Sequence, residues 1–261
     1  MFYAWDFIYA GTSASEFGLF ICDVGGNGQL DIAFANKANI LQTRLSNRIE
    51  PIMQGVRWND NPLTFTLVFG STEPMDRYQL QAVAQWLTGY QEYQWLQIEQ
   101  PDMEHIQFRC LVESLKPISV GWFPVAFEAK IVCDSPYGYS FPFEKSVVFD
   151  DQKKFRFYND STARVALRPK IKLELAAGCR NFALTNETNG LTMRFTDLPS
   201  GGITINIDNN NTIINDENNE YDLYDYFNFQ FMEFVPGDND LIFEGAGKAT
   251  ISGRYVYNVG A

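Results

Sequence analysis

The chain contains one histidine, His105, four cysteines, and no apolar run long enough to span a bilayer. A single histidine leaves a multi-histidine metal centre without ligands, and any serine or cysteine triad would have to be built on His105 itself. That residue stands in Asp102-Met103-Glu104-His105, which reads as a loop ahead of a strand. Cys22, Cys110, Cys133 and Cys179 lie far apart and form no Cys-x-x-Cys pair. This spacing argues against a zinc ribbon and against a disulfide-dense secreted scaffold. The four read as buried thiols of a protein made in a reducing cytoplasm. The opening residues, Met1-Phe2-Tyr3-Ala4-Trp5-Asp6, lack the basic start and apolar stretch of a signal peptide. No membrane insertion is expected. Positive charge is also scarce, with 20 Lys and Arg against 32 Asp and Glu, for a net charge of −12. The basic footprint of a nucleic-acid-binding protein is therefore missing, and the surface as a whole repels phosphate.

Aromatic residues are abundant. They make up 15% of the chain, with 22 Phe and 13 Tyr, residue types that favour strands and supply large contact areas. A length of 261 residues fits one large β domain or two ordinary ones. Such a chain buries roughly 70–75% of its unfolded surface and needs no metal or disulfide to hold a core.

Strand signals dominate. Residues 2–24 read as two short strands around a turn at Gly11 and Ser13-Ala14-Ser15, and Gly25-Gly26-Asn27-Gly28 reads as a loop. Leu30–Phe34 has strand alternation, and Leu63–Phe69 alternates almost perfectly. One helix is predicted at about 74–88. Pro74 is placed to start it, Glu73 and Asp76 set negative charge near its N-terminus, and Gly89 is expected as a left-handed stop. Leu80, Val83, Ala84 and Leu87 form its apolar stripe, read as a face packed on a sheet. Gln94–Ile98, Gln107–Leu115 and Phe123–Cys133 follow as strands, and Asp134–Tyr139 as a turn cluster. A polar region around 143–168 is expected to contain the domain junction.

The second half reads as a β-sandwich of short strands. These are Lys170–Leu175, Asn181–Thr185, Leu191–Phe195, Ile203–Ile207, Ile213-Ile214, Tyr226–Phe234, Leu241–Glu244 and Thr250–Tyr257. Asp208-Asn209-Asn210-Asn211 suits a hairpin tip because Asn tolerates positive φ. In Tyr226–Phe234 the alternation places Phe227, Phe229 and Phe231 on one face.

Several patterns look chemical and are weighed against plainer roles. Gly245-Ala246-Gly247-Lys248 carries part of a phosphate loop, but Ile242 stands where its first Gly belongs and Ala249 replaces the Ser or Thr. It is read as a hairpin turn. Asp208, Asp216, Glu217, Glu220 and Asp222 miss the calcium-loop spacing and read as a solvated loop. Carboxylates are numerous enough for a two-carboxylate glycosidase to stay open as the enzymatic alternative. A carbohydrate-binding module adhering to a host surface is the second, with Tyr221, Tyr224 and Tyr226 as candidate stacking residues; core, rim or partner contacts are the plainer reading of those three. No catalytic, cofactor-binding or metal-ligating residue is assigned, and no cofactor.

Order and spacing of the motifs resemble one family, the distal tail proteins of long, non-contractile phage tails. The opening Phe7-Ile8-Tyr9-Ala10-Gly11-Thr12-Ser13-Ala14-Ser15-Glu16-Phe17-Gly18-Leu19 is similar to that family's aromatic strand, Gly/Ser turn and Phe-Gly-Leu. Trp86-Leu87-Thr88-Gly89 with Tyr93 and Leu96 resembles its Trp-Leu block. Phe123-Pro124-Val125-Ala126-Phe127-Glu128, leading to Asp134-Ser135-Pro136-Tyr137, resembles the end of its ring domain, with Ser135 inserted into the usual Asp-Pro-Tyr. Arg168-Pro169-Lys170-Ile171-Lys172-Leu173, Ile205-Asn206-Ile207-Asp208 and Val235-Pro236-Gly237-Asp238-Asn239-Asp240-Leu241-Ile242-Phe243 resemble blocks of its galectin-like sandwich. Asp238 replaces the usual Glu, and the closing Trp is absent, with Tyr255 or Tyr257 near its place.

The resemblance implies a mainly β protein of two sandwich-like domains. Residues 1–143 would be a ring-forming domain with one packed helix, and 144–261 a galectin-like sandwich. It implies a structural, non-enzymatic virion protein assembled in the host cytoplasm and placed at the distal end of the tail. Copies would close a hexameric ring that joins the tail tube protein to tail-associated or tape-measure proteins and to receptor-binding or baseplate proteins. Genome DNA would pass through the lumen without specific binding, and acidic walls would keep its phosphates from sticking. Ring contacts are expected between Gly25 and Asn61.

Overall fold

The computed structural model describes residues 4–22, 38–58, 61–199, 201–218 and 220–259. The expected loop at Gly25–Gly28 and strand at Leu30–Phe34 lie outside the described residues. The fold is mainly β, and the chain separates into two compact units, Met1–Tyr139 with Asn258–Ala261, and Ser140–Tyr257.

Unit 1 holds β1 (Phe7–Tyr9), β2 (Thr12–Ser13), β3 (Phe20–Ile21), β4 (Ala38–Thr43), β5 (Ile52–Trp58), β6 (Thr64–Gly70), α1 (Arg77–Thr88), β7 (Gln94–Ile98), β8 (Gln107–Val120), β9 (Phe123–Cys133) and β10 (Tyr137–Tyr139). The main sheet runs β2-β1-β7-β8-β9-β6-β3, and β10 pairs with β8 at Tyr139 and Gln107. Alternation decides what faces inward. In β6, Phe65, Leu67 and Phe69 are buried while Thr64 is exposed. Strand β8 runs five residues beyond the expected Leu115, to Val120.

Helix α1 starts later than the proline signal suggested. Asp76 is its N-cap: the carboxylate accepts from Gln79 N at 2.8 Å, and the Gln79 side chain accepts from Asp76 N at 2.9 Å. This reciprocal pair satisfies two end donors and outweighs the preset φ of Pro74, which lies outside the helix. Gly89 is also not a left-handed stop. It sits at φ −80°, ψ 0°, and its N–H donates to Gln85 O at 3.0 Å. The stripe buries Val83 and Leu87 with Trp86 between them. Trp86 stacks on Phe17 at 4.7 Å and on Phe7 at 5.7 Å between ring centroids, and its indole N–H donates to Tyr9 O at 3.1 Å.

Unit 2 holds β11 (Phe143–Asn159), β12 (Lys170–Leu175), β13 (Phe182–Asn186), β14 (Leu191–Phe195), β15 (Thr204–Asp208), β16 (Ile213–Asp216) and β17 (Gly237–Gly253), and the chain ends with β18 (Val256–Asn258), which is not part of that sheet. Much of the polar stretch expected at the domain junction is in fact strand, because β11 pairs with β17 along its whole length, from Phe143 opposite Gly253 to Asn159 opposite Gly237. On its other side β17 pairs first with β13 (residues 241–244) and then with β12 (residues 247–252). Gly245-Ala246-Gly247-Lys248 is therefore not a hairpin turn but the bend where one strand passes between two layers, joining the two strands expected on either side of it. Gly245 has φ 118° with Asp151 at φ 65° opposite it. A Cβ on Gly247 would meet Glu174 O at 2.4 Å, so the close approach of β12 requires glycine there. The two layers enclose one core: Ile171, Leu173, Ala249 and Ile251 come from one side, and Leu184, Leu241 and Phe243 from the other.

Two further expectations change. Tyr226–Phe234 is not a strand. Residues Leu223–Tyr226 form a 3-10 turn, and only Phe227 and Phe234 make isolated bridges, to Phe195 and Leu167. Phe229 stands at φ 57° and is 66% exposed, whereas Phe227 is buried. The segment's backbone is bound by asparagine side chains instead of a neighbouring ladder. Asn209 Oδ1 accepts from Met232 N at 2.7 Å, and Asn186 and Asn189 donate to Glu233 O at 3.2 and 2.7 Å. At the β15–β16 tip the positive φ falls on Thr212, at 56°, and not on an asparagine. The Asp208 carboxylate accepts from Asn210 N and Asn211 N at 3.1 and 3.0 Å and so closes the turn.

Candidate assembly interface

The region expected to carry ring contacts contains one described feature, the β4–β5 hairpin. Its strands pair only with each other, from Ala38 opposite Trp58 to Thr43 opposite Ile52, with an irregularity at Leu41/Gln42. An eight-residue loop, 44–51, joins them. Ile40, Leu41, Leu45, Ile49, Ile52, Met53 and Val56 are all exposed, Met53 at 63% and Ile49 completely. The sequence explains the strands, since Ile40 faces Val56 as a β-branched cross-strand pair and Thr43 Oγ1 accepts from Gln54 Nε2 at 2.8 Å. Nothing among the described residues covers the apolar side chains. A lone two-stranded hairpin is marginally stable in water, and exposed apolar side chains on this scale mark a contact surface.

The arm also differs from the rest of the chain in charge. Residues 38–58 carry Arg44, Arg48 and Arg57 against Glu50 alone, in a protein of net charge −12. The arm is therefore basic and apolar, and the remainder strongly acidic.

A second exposed apolar feature was not foreseen. The β8–β9 hairpin turns through Gly121 and Trp122, with Val120 paired to Phe123, and Val120, Trp122 and Phe123 are all exposed. Trp122 is 99% exposed at φ 114°. Only the exposed-side run Val120-Gly121-Trp122-Phe123 signals this tip in the sequence.

Other weighed residues have local duties. His105 is exposed in the turn before β8. Asp216 accepts from Glu220 N and Tyr221 N, and Asp222 caps the 3-10 turn through Tyr224 N. The Tyr224 hydroxyl accepts from Ile214 N at 3.2 Å and donates to Thr212 O at 3.0 Å, Tyr226 is half-buried, and Tyr221 is exposed. Among the described residues no group of three His, Cys, Asp or Glu is gathered for a metal, and no helix is long and apolar enough to cross a membrane.

The fold is similar to solved phage structures. The Dit protein of phage SPP1, described as a paradigm of the hub adsorption apparatus in phages infecting Gram-positive bacteria, superposes with a TM-score of 0.67 at 9% identity, over 96% of this chain and 99% of that one. A chain of the phage P2 baseplate in its activated conformation with Ca gives 0.47 at 11% identity, over 86% and 88%. The Sr form gives 0.46 at 10%, over 84% and 87%. A search among curated proteins finds no match. A family model described as a phage tail protein N-terminal domain matches residues 2–135 and a companion model, described as a phage tail C-terminal domain, matches residues 137–255, so the chain belongs to this family of phage tail proteins.

Proposed function

We propose that this chain is the hub subunit at the distal end of a phage tail, and that copies of it associate side by side into a closed ring. The observation that carries this reading is the β4–β5 arm: an uncovered, apolar and basic hairpin on an otherwise acidic protein. A second copy supplies what the arm lacks, an acidic body and an apolar landing surface. A contact between two different surfaces of identical subunits repeats head to tail and leaves no open interface once the ring closes. Residues 1–143 are assigned to ring formation, with the hexamer as the expected closure. Residues 144–261 are assigned to a galectin-like domain that docks receptor-binding or baseplate parts. The ring joins the tail tube to tail-associated proteins and passes DNA through its lumen, where the acidic character expected from the chain's net charge of −12 would repel phosphate. The role is structural and not catalytic.

Light scattering and negative-stain micrographs of the purified protein test the reading. Closed rings, single or stacked, are the expected species. A monomer at high concentration, both alone and mixed with the tail tube protein, overturns it.

Carbohydrate binding keeps one specific observation in its favour. The exposed Phe229 stacks on Tyr224 at 6.0 Å between ring centroids. A glycan array tests it, and loss of a glycan signal in Phe229→Ala would assign the site.

A further inference from the structure

Cys110 on β8 and Cys133 on β9 are direct cross-strand partners. Asp134 N donates to Arg109 O at 2.9 Å, which makes 109–134 the hydrogen-bonded pair and 110–133 the non-hydrogen-bonded pair beside it. The Cys133 N–H accordingly points away from β8 and donates to Leu63 O at 2.8 Å. Opposed Cα atoms at such a position lie roughly 4.5 Å apart with both side chains on one face. A disulfide spans Cα separations of about 4.4–6.8 Å. Both residues are buried, 0% and 1% exposed, and both thiols are free. A hydrogen bond with Cys133, reinforced by burial, pushes the Cys110 thiol far above the usual range, and the two side chains are in contact.

We propose that Cys110 and Cys133 form a latent cross-strand disulfide site, closed by a peroxide once the protein has left a reducing cytoplasm. The chemistry balances. One sulfur, as thiolate, attacks the O–O bond of hydrogen peroxide and becomes a sulfenic acid, and the displaced oxygen leaves as water. The second sulfur attacks the sulfenic sulfur, the S–S bond forms, and hydroxide departs as water with the remaining thiol proton. Two thiols and one peroxide give one disulfide and two waters; the sulfurs lose two electrons and the peroxide oxygens gain them. Burial of both sulfurs makes the step slow, because it waits for a transient opening of the sheet. The bond would staple β8 to β9 and harden unit 1. Cys179, half-buried, is engaged elsewhere: it donates to Asn181 O and accepts from Ala246 N. This inference does not depend on the hub reading.

The test begins with the purified full-length protein, its accessible thiols blocked with N-ethylmaleimide. It is then incubated with hydrogen peroxide, denatured, alkylated with iodoacetamide and mapped by mass spectrometry. The expected product is an internal link between the Cys110 and Cys133 peptides, with the intact mass lower by two hydrogens. The thermal midpoint should rise by about 5 °C and fall back with a phosphine reductant. Recovery of both residues alkylated, or as sulfinic acids, overturns the proposal. Cys133→Ala should abolish the gain in midpoint. If that variant does not fold, the double variant Cys22→Ser with Cys179→Ser isolates the pair: an internal link supports the proposal, and a covalent dimer overturns it.

Discussion

Asn186 donates through Nδ2 to Oδ1 of Asn239 at 2.9 Å inside unit 2, and both residues are fully buried. The same Asn239 accepts from Val235 N at 3.0 Å and donates to Val235 O and Gly237 O at 2.8 and 3.0 Å. One amide thus holds the start of β17 against the irregular segment before it. Replacing Asn239 by Ala strands several buried groups at once and should lower the stability of unit 2 by about 2–4 kcal/mol. Denaturant titration measures it. Asp240→Ala beside it removes only an exposed ion pair with Arg156 and should cost under about 1 kcal/mol. Equal effects would refute the assignment.

Gly247 gives a second test. An alanine there brings its Cβ to 2.4 Å from Glu174 O and 3.0 Å from Leu175 Cα, both backbone atoms that cannot rotate away. Gly247→Ala should destabilise unit 2 by about 2–4 kcal/mol. Gly253→Ala meets side-chain atoms alone, the Phe143 ring at 3.3 Å and Leu167 Cδ1 at 3.7 Å, and should cost less, as thermal melts can show.

Trp86 separates packing from hydrogen bonding. Trp86→Phe keeps an aromatic ring between Phe7 and Phe17 but loses the bond to Tyr9 O, at about 1–2 kcal/mol. Trp86→Ala removes both and should cost about 3–5 kcal/mol. A phenylalanine variant as unstable as the alanine one would mean that the indole N–H, and not the stack, anchors α1.

Substitutions in the arm should leave the fold intact and abolish association. Ile40 and Met53 are exposed in the single chain, so Ile40→Asp with Met53→Asp should not move the melting midpoint of the separated subunit. Each buried apolar side chain contributes about 1.5–3 kcal/mol to a contact, so the pair should shift the proposed ring to monomers in sedimentation runs. Added salt should weaken the proposed wild-type association by screening the arm's arginines. Rings that survive the double variant would remove the arm from the interface.

Asp208 predicts a pH dependence. Partial burial pushes its carboxyl up, but N–H donors from Asn211 and Asn210 and the nearby Lys170 outweigh this and hold it below the usual carboxylate range. A depressed folded pKa adds stability above the unfolded value of about 3.9 and loses it as pH falls through the folded value. The denaturation midpoint of unit 2 should therefore drop more steeply below about pH 4 in the wild type than in Asp208→Asn. Parallel curves would show that the carboxylate is not the group responsible.

Strands were legible where alternation was clean. Phe123–Cys133, Lys170–Leu175 and Leu191–Phe195 occupy the residues that their patterns indicated. The helix face was legible for the same reason, as Val83 and Leu87 fall on one stripe. Tyr226–Phe234 misled because alternation reports which side chains can share a face, not whether a neighbouring strand is there to bond the backbone. The glycines of β17 misled because a bend between layers and a hairpin turn make the same local demand. The exposure of the arm was not legible, since its apolar residues look like core residues in a one-dimensional pattern.

The sequence by itself determined the β-rich character, the single helix, most strand positions and, through the order of its motifs, the phage tail family. Those features depend on local periodicity, on capping residues and on turn chemistry, all of which act within a few residues. Only the tertiary structure decided that β17 crosses between layers, that asparagines replace a ladder before it, that Cys110 faces Cys133, and that the β4–β5 hairpin stands uncovered. Each of these depends on which groups arrive from distant parts of the chain, or fail to arrive, and a buried polar atom or an exposed apolar one is defined by that alone.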